Sequence, residues 1–342
     1  MSEKRVSLLS KVLRVRIVKK VVGQKKNYYL GSLKLWSRNL FVDTYRDCKD
    51  VIKNSNVLYL LNSNIGEAFL FFKYCFPELE RRNQENGLKT FILTNSLNQI
   101  AIARSLAIDN IAYTNKLNVE QCDSRFNYRG IDCIVVFNRR YYDNLNADIK
   151  KGCDHYFRSM MRFFSIESDN FYFRKVKVRD SISESALKKA LRLGLDTSNF
   201  AIVIPEAKSC SDFNEDVVCK IVNILLNDGQ SVLINCKKKY SVTNNLVVST
   251  FDFSVDELFE LAKLARVIVS VRCGLIEFLS DAKCPVIVVY TDFRSGGEEK
   301  LLERDVLRGY SLSEIPSEYS SVTEVTYSHF VKRIGENLHS KF

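Results

Sequence analysis

Residues 265–290 constrain this chain more tightly than any other stretch. An apolar run, Val267-Ile-Val-Ser-Val271, leads into Arg272-Cys273-Gly274, a short segment with helical spacing, and a second apolar run, Val286-Ile-Val-Val-Tyr290. Five-residue runs this rich in β-branched side chains read as strands buried on both faces, the condition of a parallel sheet. The turn between strand and helix then lies at the carboxyl end of a parallel strand. Backbone N–H groups and the positive end of a helix dipole meet an anion there, so the segment predicts a nucleotide or another phosphorylated ligand.

The same rhythm runs along the chain. Strands are expected at 56–62, 89–94, near Ile111 and at 131–137, with helices from about Gly66, over 96–107 and over 144–164. Pro77 is expected to interrupt the first of these helices. After a charged, strand-like connector at 171–180 a second cycle begins, with helices at 184–193, 214–226 and 255–265 and strands at 200–204, 231–235, 246–249 and 286–290. This predicts an α/β chain of two tandem Rossmann-like domains, 51–180 and 181–325, with a cleft between the carboxyl ends of their strands. Residues 1–50 form a basic N-terminal extension, and a helix within 326–342 is expected to return to the first domain. A length of 342 residues with 46% hydrophobic content suits two domains.

The formal net charge of +11 is concentrated at one end. Residues 1–40 hold eleven Lys or Arg against Glu3 alone, while the remaining residues carry 40 basic and 39 acidic side chains. Val6, Leu9, Leu13, Ile17 and Val21 recur there at helical spacing, which predicts an amphipathic basic helix on an anionic membrane surface. A nucleic-acid-binding arm and a helix packed on its own domain are the alternatives. The body offers no basic, aromatic-interleaved surface to extend a nucleic-acid site, so that partner is not expected. Ten cysteines without a CxxC pair, and three histidines, give neither zinc-finger spacing nor a disulfide framework. No apolar run reaches the roughly 20 residues of a membrane span, and the charged N-terminus does not read as a cleaved signal peptide. The expected location is cytoplasmic, peripheral on the inner face of the cytoplasmic membrane.

The order of elements resembles the GT-B glycosyltransferase architecture, and several motifs are distantly similar to the bacterial heptosyltransferase-like family of surface-polysaccharide enzymes. Asn64-Ile-Gly66-Glu67 is similar to that family's Gly-Asp turn, and His155-Tyr-Phe-Arg with Phe163-Phe164 to its linker. Leu193-Gly-Leu and Ile202-Val-Ile-Pro205-Glu-Ala-Lys208-Ser209 are similar to the opening of its donor domain. Asp256-Glu-Leu, Val271-Arg272-Cys273-Gly274 and Cys284-Pro285-Val286 are similar to its nucleotide-binding turn. The likeness covers roughly residues 55–292. Where the family has Asp-Thr-Gly and then a histidine, this chain has Arg272-Cys273-Gly274 and then Glu277, so donor identity does not carry over. Asn27-Tyr-Tyr-Leu-Gly-Ser-Leu-Lys-Leu-Trp36 also looks like a segment near the N-terminus of assorted capsule and lipopolysaccharide transferases.

The resemblance implies an acceptor domain at 51–180, a nucleotide-sugar domain at 181–325, and transfer of a sugar from a nucleotide-sugar donor to a glycan or glycolipid acceptor. Such transfer needs a base for the acceptor hydroxyl and positive charge or oriented N–H groups for the departing diphosphate. Glu67 is the candidate base; the alternative is a first-turn glutamate complementing its helix dipole. Arg272 is the candidate for the diphosphate, with Gly274 and Glu277 completing the turn and Lys208 and Ser209 as further phosphate contacts. The alternative for Arg272 is an ion pair with Glu277 or Asp281. Asn64, Gly66 and His155 are placed on the acceptor side, although His155 also reads as a satisfied helix histidine. The chain has no Asp-x-Asp pair at a convincing strand end, so neither a metal nor another cofactor is expected. Two further classes fit the same residues: a polysaccharide pyruvyl transferase using phosphoenolpyruvate, which lacks its expected histidine after Arg272, and a non-catalytic GT-B-like partner protein.

Overall fold

A computed structural model describes residues 54–114, 125–128, 130–137, 139–152, 154–166, 173–242, 244–293, 301–316 and 321–336. The basic extension and its expected membrane helix lie outside the described residues.

The first sheet holds β1 (Val57–Leu61), β2 (Thr90–Thr94), β3 (Ile111–Tyr113), β4 (Arg125–Tyr128) and β5 (Ile131–Val136), in the order β3-β2-β1-β5-β4. β1 is central and parallel to both neighbours, with Tyr59 opposite Ile92 and Ile134. All five of its residues are buried, as an unbroken apolar run requires. β4, which the sequence did not reveal, is an antiparallel edge strand on β5. The second sheet holds β6 (Phe200–Ile204), β7 (Ser231–Asn235), β8 (Val247–Thr250), β9 (Ile268–Val271), β10 (Val286–Tyr290) and β11 (Val322–Thr326). Its order is β11-β10-β9-β6-β7-β8, and every described pair is parallel. Counted from β6 this is 3-2-1-4-5-6, the order of dinucleotide-binding sheets. Each domain thus has a switch point where strand order reverses: between β1 and β5, and between β6 and β9.

The helices are α1 (Ile65–Leu70), α2 (Phe76–Glu85), α3 (Leu97–Ser105), α4 (Arg139–Lys150), α5 (Tyr156–Phe163), α6 (Asp180–Arg192), α7 (Glu215–Asn227), α8 (Val255–Ala262), α9 (Gly274–Leu279), α10 (Glu303–Tyr310) and α11 (Tyr327–Glu336). Pro77 does not interrupt the helical run from Ile65 to Glu85. It stands in the first turn of α2, after a widened π turn at Phe71–Cys75. Pro77 cannot donate to the carbonyl of Lys73, four residues earlier. The N–H of Arg174, in the interdomain connector, takes that carbonyl at 3.2 Å. The connector itself runs without sheet pairing.

Two other expectations are corrected. The helix expected over 144–164 is two helices, because Gly152 turns at φ 73° after α4 and His155 caps α5. The terminal helix does not brace the first domain within its described residues: Phe330 and Ile334 bury with Phe213, Val217 and Ile221 in the second. Residues 303–316 make the bridge instead. Gly309 of α10 lets Ile149 of α4 approach so closely that a Cβ there would meet its Cγ2 at 2.4 Å. One apolar cluster consequently runs through both domains, joining Phe69 to Phe278 with ring centroids 5.4 Å apart.

Candidate functional site

The two switch points meet. α1 begins just after β1 and α9 just after β9, and their first turns are in backbone contact. A Cβ on Gly66 would lie 1.9 Å from Oε2 of Glu277 and 2.7 Å from Cα of Gly274. A Cβ on Gly274 would lie 2.7 Å from the Gly66 nitrogen. Only glycine fits at either position. These are the two turns in which the sequence placed its base and its phosphate site, so the fold does bring them together.

Glu67 sits in the first turn of α1, where Asn64 is the N-cap. Its Oε2 accepts the Asn64 N–H at 2.9 Å, so the helix-end role expected of it is present. The carboxyl also hydrogen-bonds Tyr142 of α4 and feels both Glu277 and Arg272 across the junction. Burial pushes its pKa up to about 7; the Asn64 N–H opposes the rise and the charge of Glu277 adds to it, while Tyr142 and Arg272 pull it down.

Arg272 leaves β9 and is 6% exposed. Its Nε donates to the Tyr310 carbonyl at 3.0 Å, Nη1 to the Cys273 carbonyl at 3.1 Å, and Nη2 to the Tyr156 hydroxyl at 3.0 Å and to Oε1 of Glu277. The guanidinium has five N–H donors, and four of them are engaged by the protein. Arg272 is therefore an ion-pair partner of Glu277 here, the alternative weighed from the sequence. Asp281, the other partner considered, instead takes Nζ of Lys73 at 2.6 and 2.7 Å in a buried pair between the domains.

Glu277 accepts from both Arg272 and the Tyr156 hydroxyl through Oε1. Its Oε2, facing Gly66, has no hydrogen-bond partner among the described residues. Beside this contact a cavity lined by Phe69, Tyr74, Glu277, Asp281 and Leu312 measures about 10 Å³, at the lower limit for one water molecule.

His155 is not part of this constellation. It is fully buried, its Nδ1 accepts the Phe157 N–H at 3.2 Å, and its Nε2 lies 2.9 Å from the Ser311 carbonyl. Both ring nitrogens are thus used, and the acceptor-orienting role gives way to that of a helix cap. Burial lowers its pKa to about 4. Lys208 is exposed and Ser209 half-buried in the loop after β6, the other side of the second switch point. Asp292 and Phe293 hold the start of the loop after β10, through Glu303 N–H and a stack on Tyr310; residues 294–300 lie outside the described residues.

Tyr142, Tyr156, Tyr310 and Lys73 were not singled out from sequence. The lysine carried a signal: it is the one polar-headed charge in the run Ala68-Phe-Leu-Phe-Phe-Lys-Tyr-Cys-Phe76, which is otherwise apolar or aromatic. A charge there must be paired. Among the described residues no group of three or more His, Cys, Asp or Glu is arranged to hold a metal ion, and no helix is long and apolar enough to cross a membrane.

No family model matches this sequence, and no curated protein matches it. In structure the chain is similar to GT-B glycosyltransferases at low identity. The iron-containing dodecameric glycosyltransferase TibC of enterotoxigenic E. coli shares 12% identity over 69% of this chain and 57% of that one, with a TM-score of 0.46. A family 9 glycosyl transferase of Veillonella parvula shares 9% over 83% and 90%, with a TM-score of 0.44. The E. coli ADP-heptose lps heptosyltransferase II shares 11% over 78% and 89%, with a TM-score of 0.42. The chain spans little more than half of TibC, and these likenesses concern the fold.

Proposed function

We propose that this protein transfers a sugar from a nucleotide-sugar donor to a glycan or glycolipid hydroxyl, with Glu67 as general base and without a metal, in bacterial surface-polysaccharide synthesis. One observation carries the reading: the Glu67 carboxyl, held by the Asn64 N–H, stands where the two switch points meet, and burial pushes its pKa up to about 7. A base works best when its pKa lies near the working pH, since it is then both available and strong enough to take a proton. Asn64 and Gly66 set the acceptor side of the turn. Lys208 and Ser209, at the carboxyl end of β6, are the side chains we assign to the donor diphosphate, together with the Gly274 turn. Arg272 would join them only by exchanging Glu277 for a phosphate. Residues 1–40 would hold the protein on an anionic membrane, which predicts that deleting them abolishes sedimentation with anionic liposomes; undiminished binding would refute that role.

The engaged guanidinium and the Gly66–Gly274 contact favour a second reading, a non-catalytic two-domain partner protein. Titration with UDP, GDP, CMP, ADP and phosphoenolpyruvate, followed by melting temperature, separates the readings, because a bound ligand stabilises in proportion to the logarithm of its saturation. A nucleotide response, with turnover that falls about 10²–10⁴-fold in Glu67→Gln while nucleotide affinity holds, is expected for the transferase. A response to phosphoenolpyruvate alone would move the assignment to pyruvyl transfer. Silence toward all five ligands would leave the non-catalytic reading.

A further inference from the structure

We infer that Glu277 is a positioning residue for Glu67: a fixed negative charge that the second domain delivers to the back of the Glu67 turn in the first. The inference rests on and deepens the reading of Glu67 as the acid–base group, and names a charge from the other domain that acts on it.

The geometry begins with the side chain's anchorage. Glu277 is 4% exposed, and its Oε1 is fixed by Nη2 of Arg272 and the Tyr156 hydroxyl. With that oxygen fixed, Oε2 can point only toward the backbone of Gly66, so close that no side chain fits between them. An ionised carboxylate has acceptor capacity on both oxygens, yet Oε2 finds no described donor. Leaving a buried acceptor unmet costs about 1–3 kcal/mol. That carboxylate, held by an arginine and a tyrosine, stands against Gly66, the residue that precedes Glu67.

The other groups around Glu67 act differently. On its own element the Asn64 N–H stabilises the ionised form. From α4, the Tyr142 hydroxyl hydrogen-bonds it and Tyr141 lies within electrostatic range. From α10, Tyr310 is also in range, and from the β9–α9 turn come Arg272 and Glu277. The tyrosines are neutral, because burial raises the pKa of each. Among these described groups, Glu277 is the one negative charge opposing ionisation of Glu67. Because that charge belongs to the other domain, its contribution to the proton affinity of Glu67, which adds to the larger effect of burial, lasts only while the two turns touch.

The test is a carboxyl titration by NMR with ¹³C-labelled glutamate on the full chain, the Glu67 signal being identified by its loss in Glu67→Gln. In Glu277→Gln the Glu67 midpoint should fall by about one pH unit or more, since a like charge is removed and Arg272 is left uncompensated beside it. Glu277→Asp, which keeps the charge, should hold the midpoint near the wild-type value. An unchanged midpoint in folded Glu277→Gln would overturn the inference and leave Glu277 as a structural partner of Arg272. Should Glu277→Gln not fold, the double variant Arg272→Gln/Glu277→Gln removes both charges. A smaller drop in the Glu67 midpoint is then expected, and no drop overturns the inference. The titration needs no turnover, so its outcome is independent of whether the protein proves to be a transferase.

Discussion

Replacing Gly66 by alanine tests whether the crevice between the domains is closed in solution. The new methyl would fall 1.9 Å from Oε2 of Glu277, 2.5 Å from its Cδ and 2.7 Å from Cα of Gly274. Ordinary carbon contacts are 3.5–4.0 Å, so three atoms must retreat. The glutamate tip cannot swing aside without leaving Arg272 and Tyr156, and Gly274 can move only with the backbone of its domain. Overpacking costs about 1–3 kcal/mol, and a weakened buried ion pair adds to that. Alanine's better helix propensity returns at most about 1 kcal/mol. The expected net loss is about 2–4 kcal/mol, read as a lower urea midpoint by circular dichroism. Gly335→Ala is the control. Its Cβ meets nothing within 4 Å in α11, so it should be neutral or stabilising by up to about 1 kcal/mol. If Gly66→Ala unfolds at the wild-type urea concentration with an unchanged slope, the turns are not in contact and the closed crevice is refuted.

Two titratable groups should tilt stability in opposite directions. His155, with its pKa lowered to about 4, contributes stability that is full above the unfolded value near 6.5 and lost as pH falls toward 4, by at most about 3 kcal/mol. Glu67, raised to about 7, contributes stability that is full below its unfolded value near 4.5 and lost as pH rises through 7. Glu67→Gln should therefore melt higher than wild type at pH 8 and about equally at pH 4.5; identical melting differences at both pH values would contradict this. For the Lys73–Asp281 pair, Lys73→Met should cost about 3–5 kcal/mol because Asp281 is left buried and unpaired, while Lys73→Met/Asp281→Leu should recover most of it. Additive losses in a double-mutant cycle would show the two side chains to be uncoupled.

The strands legible in sequence are those buried on both faces. β1 and β6 are unbroken apolar runs, β7 carries three apolar residues between Ser231 and Asn235, and every residue of the three is buried. The two missed strands are edges: Arg125-Phe-Asn-Tyr128 and Val322-Thr-Glu-Val-Thr326 mix polar with apolar residues, because an edge has one side to pair and less to bury. The break between α4 and α5 was hidden because its cap is a histidine, outside the Ser, Thr, Asp and Asn set that marks most helix starts. The two turns of the site were legible from position alone, since both follow the first or fourth strand of a Rossmann cycle. What faces them was not. The sequence placed Gly66 on the acceptor side and Gly274 in the phosphate-binding turn, and each lies against the backbone of the other domain. That contact depends on how two separately legible domains dock, which no local pattern encodes.

The docking has a thermodynamic consequence for any donor that uses these turns. Lys73 with Asp281 and the Gly66–Gly274 contact belong to the closed junction, and the Arg272–Glu277 pair stands beside it within the second domain. A nucleotide that needs Arg272 competes with Glu277, whose carboxylate already occupies the guanidinium fork in a desolvated site. Its apparent dissociation constant equals the intrinsic one divided by the fraction of molecules in which the fork is free. A fork engaged by Glu277 in 99 of 100 molecules would weaken affinity about 100-fold, or roughly 2.7 kcal/mol. Lys208 and Ser209 escape this penalty, being exposed or half-buried outside the Arg272–Glu277 pair. Initial phosphate capture at the β6 loop, followed by exchange of Glu277 for phosphate at Arg272, is then the order of events that this arrangement of charges favours. In the proposed reaction, Glu277 released from Arg272 with the two turns still in contact would act more strongly on Glu67 and make it a better base.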